Sequence, residues 1–119
     1  MVRVGTDIVV IERIARSRAR FGTRFLRRYL HPDEYTAASS DATLAGLWAA
    51  KEAVAKALGC GIGSELSFHD IIVYKDPKGA PHLHFTPAAQ KRFGVQTSSL
   101  SISHDGGFAI AVVVLTRHS

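Results

Sequence analysis

The chain has 119 residues, 46% hydrophobic and 21% charged with only 4 prolines, and a chain of this size buries about two-thirds of its surface on folding, which argues against disorder and predicts one domain over 1–119. Its longest apolar run, Phe108 to Leu115, is far short of the ~20 residues a membrane helix needs; Asp7 stands where a signal peptide would carry its apolar stretch, and the single Cys60 forms neither an internal disulfide nor a metal cluster, so a cytoplasmic protein is expected. The net charge of +5 is concentrated: Arg3, Arg13, Arg16, Arg18, Arg20, Arg24, Arg27 and Arg28 are eight of the fifteen basic residues, and the only acids among the first thirty positions are Asp7 and Glu12. Such a patch attracts a polyanion, whether nucleic acid, an anionic membrane or an acidic protein.

In chain order, Val2 to Ile11 is β-branched and mostly apolar, which predicts a strand ending near the first helix. Ile14, Ala15, Phe21, Phe25, Leu26, Tyr29 and Leu30 recur at helical spacing with arginines on the other faces, giving a basic amphipathic helical region whose aromatic stripe faces the core and which Gly22 divides. His31-Pro32-Asp33-Glu34 places proline at a helix start with acids in its first turn. The longest helical signal runs from Asp41 or Thr43 to Leu58, with Leu44, Leu47, Trp48, Val54, Ala55 and Leu58 on one stripe, and stops at Gly59-Cys60-Gly61-Ile62-Gly63. These glycines follow a helix instead of joining a strand to one, so they form a cap and a loop and not a dinucleotide fingerprint.

Ile71 to Tyr74 and Pro81 to Phe85 flank the turn signal Asp76-Pro77-Lys78-Gly79 and read as a hairpin, and Pro87 to Phe93 as a short helix. Ser99 to Ser103 alternates strictly, Phe108 to Leu115 is a continuous apolar strand, and His104-Asp105-Gly106-Gly107 turns between them. One strand, then helices, then strands is an α+β order. A last strand apolar on both faces, in so small a chain, predicts burial in a subunit interface and therefore an oligomer.

Few residues invite chemistry. Asp7 sits in or at the end of an apolar strand, where a carboxylate is costly unless it meets a cation, a metal or solvent. Glu52 lies one turn after Trp48 and one before Lys56, beside the apolar stripe; it either pairs with Lys56 or, if the fold brings it to Asp7, makes a two-carboxylate oxygen site of the kind magnesium accepts together with waters and phosphates. His104 continues the inward alternation of Leu100 and Ile102, as a structural hydrogen bonder, a phosphate donor or a proton acceptor. His82 and His84 share a strand face but lack a third metal ligand at plausible spacing, and Cys60 lies between two glycines with nothing beside it to activate a thiolate.

Gly5-Thr6-Asp7-Ile8-Val9, the run Trp48-Ala49-Ala50-Lys51-Glu52-Ala53-Val54-Ala55-Lys56-Ala57-Leu58-Gly59, the turn Gly79-Ala80-Pro81 and Leu100-Ser101-Ile102-Ser103-His104-Asp105 resemble, in order and spacing over the whole chain, the holo-acyl-carrier-protein synthases. The resemblance implies the 4'-phosphopantetheinyl transferase fold: a small antiparallel sheet packed with a long helix and a basic N-terminal helix, assembled as a trimer with sites between subunits. It implies transfer of the 4'-phosphopantetheine arm of coenzyme A to a serine of apo acyl carrier protein, for fatty acid biosynthesis, releasing adenosine 3',5'-bisphosphate. Asp7 and Glu52 then hold Mg2+, Lys56 holds a phosphate oxygen and the leaving group, and Glu52 or a metal-bound water takes the serine proton. His104 contacts coenzyme A and is a weaker candidate base; Gly59 and Gly61 let backbone approach the nucleotide, and Pro81 borders the adenine. Arg13, Arg20, Arg24 and Arg28 match the family's docking positions for the acidic helix of the carrier.

Relatives carry Arg-Phe where this chain has Leu47-Trp48, which removes a cation from the nucleotide region, and Lys51 is the cation expected to stand in for it. Two other functions compete. A small nucleic-acid binder would use the Arg13 to Arg28 region with Phe21, Phe25 and Tyr29 exposed for stacking; a non-catalytic relative would bind coenzyme A or carrier protein without turnover, against which stand Asp7, Glu52, Lys56 and His104.

Overall fold

In the computed structural model, which describes residues 1–37 and 40–118, β1 (Val2–Val10) leads into α1 (Ile11–Phe21) and α2 (Thr23–Tyr29), followed by a 3-10 turn at Pro32–Ala37 and the long α3 (Asp41–Leu58). A second 3-10 turn, Phe68–Asp70, precedes the hairpin β2 (Ile71–Lys75) and β3 (Pro81–Phe85); α4 (Pro87–Phe93), β4 (Val95–Asp105) and β5 (Phe108–Arg117) complete the chain. The main sheet is antiparallel in the order β1, β5, β4, and β2 with β3 forms a separate two-stranded sheet. The expected α+β architecture is therefore present.

Helix α3 fills one face of the sheet. Ser40 caps its start by accepting from the Thr43 amide at 3.1 Å, and Gly59 ends it in the left-handed region at φ 75°, where a side chain would be strained. Its contact with β1 is close: a Cβ on Gly5 would overlap the Ala53 carbonyl oxygen and the Ala57 amide, so only glycine lets the strand lie against the helix backbone. At the other edge of the sheet Gly46 receives Ile102, whose Cγ2 is 2.9 Å from where a Cβ would stand. The helix face toward the strands is thus alanine and glycine, and the sheet answers with small residues, Ala109 and Ala111, fully buried in β5.

The opposite face of the sheet is uncovered. In β5 the buried Ala109, Ala111, Val113 and Leu115 alternate with Phe108, Ile110, Val112 and Val114, which are 37–47% exposed. Register places Ile110 beside Ile8 and Val114 beside Val4 of β1, while Ser99, Ser101 and Ser103 of β4 border the same stripe.

Several boundaries differ from expectation. Pro32–Ala37 forms a 3-10 turn and no α-helix. β4 begins at Val95 and runs through His104 and Asp105, leaving Gly106 and Gly107, both at positive φ, as the turn. Phe21, expected in the core stripe, is 49% exposed, because Gly22 ends α1 and resets the helical phase before Phe25. Phe25 and Tyr29 are buried, in an aromatic cluster with Trp48 and Phe68.

Candidate active site

Because Gly5 draws β1 onto α3, Asp7, two residues later on the same strand face, arrives beside the helix between Glu52 and Lys56. The Lys56 ammonium donates to Asp7 Oδ1 at 2.9 Å, with the lysine side chain 55% exposed and the aspartate 16%. Glu52 is half-buried; burial raises its carboxyl pKa above the ordinary value, the Asp7 charge adds to the rise, and Lys56 opposes both. Asp7 thus meets an exposed cation, with a second carboxylate beside the pair, at the edge of the sheet.

Among the described residues no third His, Cys, Asp or Glu joins Asp7 and Glu52. The donor set is oxygen only and small, which suits Mg2+, a cation that keeps waters and takes phosphate oxygens in its remaining positions, and does not suit zinc.

His104 stands elsewhere. It faces the α3 side of the sheet at the end of β4, in the row of Ala109 and Val9, and lines a cleft of about 220 Å³ with Pro81, Gly79, Leu47, Gly46 and Lys75. A larger neighbouring cleft of about 520 Å³ shares Thr43, Leu47, Val73 and Lys75 with it and adds Tyr74, His84 and Asp33. Neither is lined by Asp7, Glu52 or Lys56. His104 and Asp7 lie on strands separated by β5, roughly 10 Å apart across the sheet at the usual strand spacing, with α3 crossing between. One chain therefore carries two separate groups: carboxylates and lysine toward one end of α3, histidine and proline toward the other.

Gly59 and Gly61 are exposed just beyond Lys56, both at positive φ, and nothing lies within 4 Å of where a Gly61 side chain would project. Of the arginines expected to dock the carrier, Arg13 and Arg20 border an open groove with Arg16, Ser17 and Phe21, and the Arg20 guanidinium sits 5.1 Å from the Phe21 ring centroid. Arg24 and Arg28 are exposed on α2, whereas Arg18 turns inward to Asp41 at 3.3 Å.

The structure corrects Lys51. Instead of reaching the nucleotide region, its side chain has no exposed surface, and its Nζ donates to Glu34 Oε1 at 2.7 Å, the Tyr29 carbonyl at 2.6 Å and the Phe68 carbonyl at 3.0 Å. All three donors are used. Burial lowers its pKa and the Glu34 carboxylate pushes it back up. The cation that does line both clefts is Lys75, at the end of β2, a residue that fell between the expected strand Ile71 to Tyr74 and the expected turn Asp76 to Gly79.

The sequence pattern described as the 4'-phosphopantetheinyl transferase superfamily matches residues 3–113. The chain is 57% identical over 113 residues to the holo-[acyl-carrier-protein] synthase of Campylobacter curvus, covering 95% of this chain and 99% of that one, and 53% identical over 114 residues to that of a Sulfurovum species, covering 96% of each. Among solved structures, the Helicobacter pylori holo-[acyl-carrier-protein] synthase in complex with coenzyme A superposes with a TM-score of 0.92 at 47% identity, covering 95% of this chain and 99% of that one. The Neisseria meningitidis synthase gives 0.89 at 37% identity, covering 98% and 100%. With matches of this extent over both the strand of Asp7 and the helix of Glu52, this chain belongs to the holo-[acyl-carrier-protein] synthase family of 4'-phosphopantetheinyl transferases.

Proposed function

We propose that the chain transfers 4'-phosphopantetheine from coenzyme A to a serine hydroxyl of apo acyl carrier protein. The observation that carries this reading is the Asp7, Glu52 and Lys56 group, two carboxylates and one exposed cation held by the Gly5 contact. In the reaction the serine oxygen forms a bond to the β-phosphorus, the bond from that phosphorus to the bridging oxygen breaks, the serine proton leaves to a base, and adenosine 3',5'-bisphosphate carries away the released charge. Asp7 and Glu52 would hold Mg2+, which when bound would supply charge neutralisation for the pyrophosphate. Lys56 is free to turn from Asp7 to a phosphate oxygen, since an exposed pair costs little to break. Glu52 takes the serine proton in this reading, and positioning and electrostatics supply most of the remaining acceleration.

The cleft lined by Pro81, His104 and Lys75, with the larger neighbour that shares Lys75, suits the nucleotide end of coenzyme A, with Lys75 the available cation now that Lys51 is committed elsewhere and Leu47 is apolar. The separation of the two groups is met by a homotrimer in which one subunit's carboxylates face the next subunit's cleft. The uncovered apolar sheet face, with Val4, Ile8, Ile110 and Val114 adjacent, supports that assembly, since monomers seldom leave so continuous a patch bare. Arg13, Arg20, Arg24 and Arg28 dock the acidic helix of the carrier. Burial of Phe25 and Tyr29 leaves Phe21 alone exposed of the three rings that a nucleic-acid binder would stack on. No described helix is long and apolar enough to cross a membrane, and the reading carries with it a cytoplasmic location.

The test is to incubate the protein with apo acyl carrier protein, coenzyme A and magnesium, with an EDTA control, and to read the intact mass of the carrier. A metal-dependent gain of one phosphopantetheine is expected. No gain while coenzyme A still binds would identify a silent relative, and binding of neither partner would overturn the reading.

A further inference from the structure

The buried pair Lys51 and Glu34 is larger in its reach than an ion pair needs to be. Lys51 ties α3 to the end of α2 through the Tyr29 carbonyl and to the turn before β2 through the Phe68 carbonyl. The Glu34 carboxylate accepts from the His31 amide at 2.7 Å with Oε1 and from the Val73 amide at 2.8 Å with Oε2. Among the described residues strand β2 pairs only with β3, so its other edge has no strand partner there, and the carboxylate takes the Val73 N–H that points outward. Val73 lines both clefts. Both side chains are almost wholly buried, at 0% and 1% exposure, and no buried side-chain polar atom among the described residues lacks a partner. A charged pair removed from water is an expensive way to hold a fold together, and an apolar pair often serves stability as well; what an apolar pair cannot do is satisfy a strand-edge amide and two carbonyls at fixed distances.

We infer that Lys51 and Glu34 are positioning residues for coenzyme A, setting the cleft wall at Val73 against α3 without touching the substrate. The inference rests on the assignment of that cleft to the nucleotide. The pair fixes β2 relative to Leu47, Thr43 and Gly46 on α3, so the width of the cleft, and with it the seat of the nucleotide, follows from two side chains outside the cleft.

The test uses the full-length protein and the double substitution Lys51→Met with Glu34→Gln, which leaves no unpaired buried charge and keeps one amide oxygen to accept. Coenzyme A binding is measured by calorimetry alongside steady-state kinetics, after circular dichroism establishes that the variant is folded. The expected result is a rise of about tenfold in the KM and Kd for coenzyme A, with kcat and the KM for carrier protein changed less than about threefold. The salt dependence of the coenzyme A Kd should match that of the wild type, because no phosphate contact has been lost. An unchanged KM for coenzyme A, a shallower salt dependence showing direct contact, or an equal loss in all three constants would each overturn the inference. Should the variant not fold, amide exchange on the wild type decides: the Val73 N–H should exchange as slowly as that of Val113 in the central strand, and fast exchange would overturn the role of Glu34. Failure of the wild type itself to bind coenzyme A would instead refute the cleft assignment.

Discussion

Lys51 and Lys56 occupy the same helix five positions apart, and each meets a carboxylate within hydrogen-bond distance, yet they do opposite work. Lys51 meets Glu34 at 2.7 Å with neither side chain exposed, whereas Lys56 meets Asp7 at 2.9 Å with more than half its surface in water. The first is locked, since any partner it leaves behind is a buried charge or a bare carbonyl. The second is exchangeable, because water or a phosphate can replace Asp7 at little cost. Local charge pattern does not distinguish a structural cation from a catalytic one; solvent access and the number of donors already engaged do.

The sharpest break in this comparison comes from the carboxylates. If Asp7 and Glu52 hold Mg2+ as proposed, Asp7→Ala or Glu52→Ala should reduce transfer on the order of 10³-fold or more while leaving the fold intact; a mass assay with thermal melts checks both halves. Next come the two lysines side by side. Lys51→Met should destabilise by roughly 3–5 kcal/mol by stranding Glu34, lowering Tm by about 10 °C or more. Lys56→Met should leave Tm within about 3 °C yet cut kcat about 100-fold, and similar losses of stability in both would erase the contrast.

Reversal of Arg13, Arg20 and Arg24 to glutamate should raise the KM for carrier protein about tenfold and that for coenzyme A less than about twofold, with added salt weakening carrier binding by wild type in the same direction. The smallest effect concerns Glu52→Gln. A carboxyl whose folded pKa lies above its unfolded value binds more protons when folded, so the stability it contributes is present at low pH and falls as pH rises through the window between the two values. Without metal, the glutamine variant should therefore melt a few degrees higher than wild type at neutral pH and lose that advantage in acid; calorimetry at two pH values checks it.

Much of the scaffold was legible because its signals are local. The start of α3 at Asp41, its glycine stop, the Asp76 to Gly79 turn and the inward alternation that ends at His104 each depend on neighbours a few residues away. Asp7, Glu52 and Lys56 were legible as residue types in a motif, but what brings them together is the Gly5 contact with the Ala53 carbonyl, a backbone approach across distant segments. The Lys51 and Glu34 pair was illegible for the same reason. Its members are 17 positions apart, each lies in a segment where a surface charge is ordinary, and only the tertiary fold removes both from water. Phe21 misled because periodicity assumes one continuous helix, and a glycine at φ 59° interrupts the count.

Trp48 is the only tryptophan in the chain. Its ring lies 4.8 Å from that of Phe68, 5.0 Å from Tyr29 and 6.0 Å from Phe25, centroid to centroid. The protein thus contains a built-in optical reporter at the junction of α2 with the segment leading into β2. Intrinsic emission should register the arrival of carrier protein from one side and of coenzyme A from the other, allowing order of binding to be followed in a stopped-flow instrument without attaching a dye.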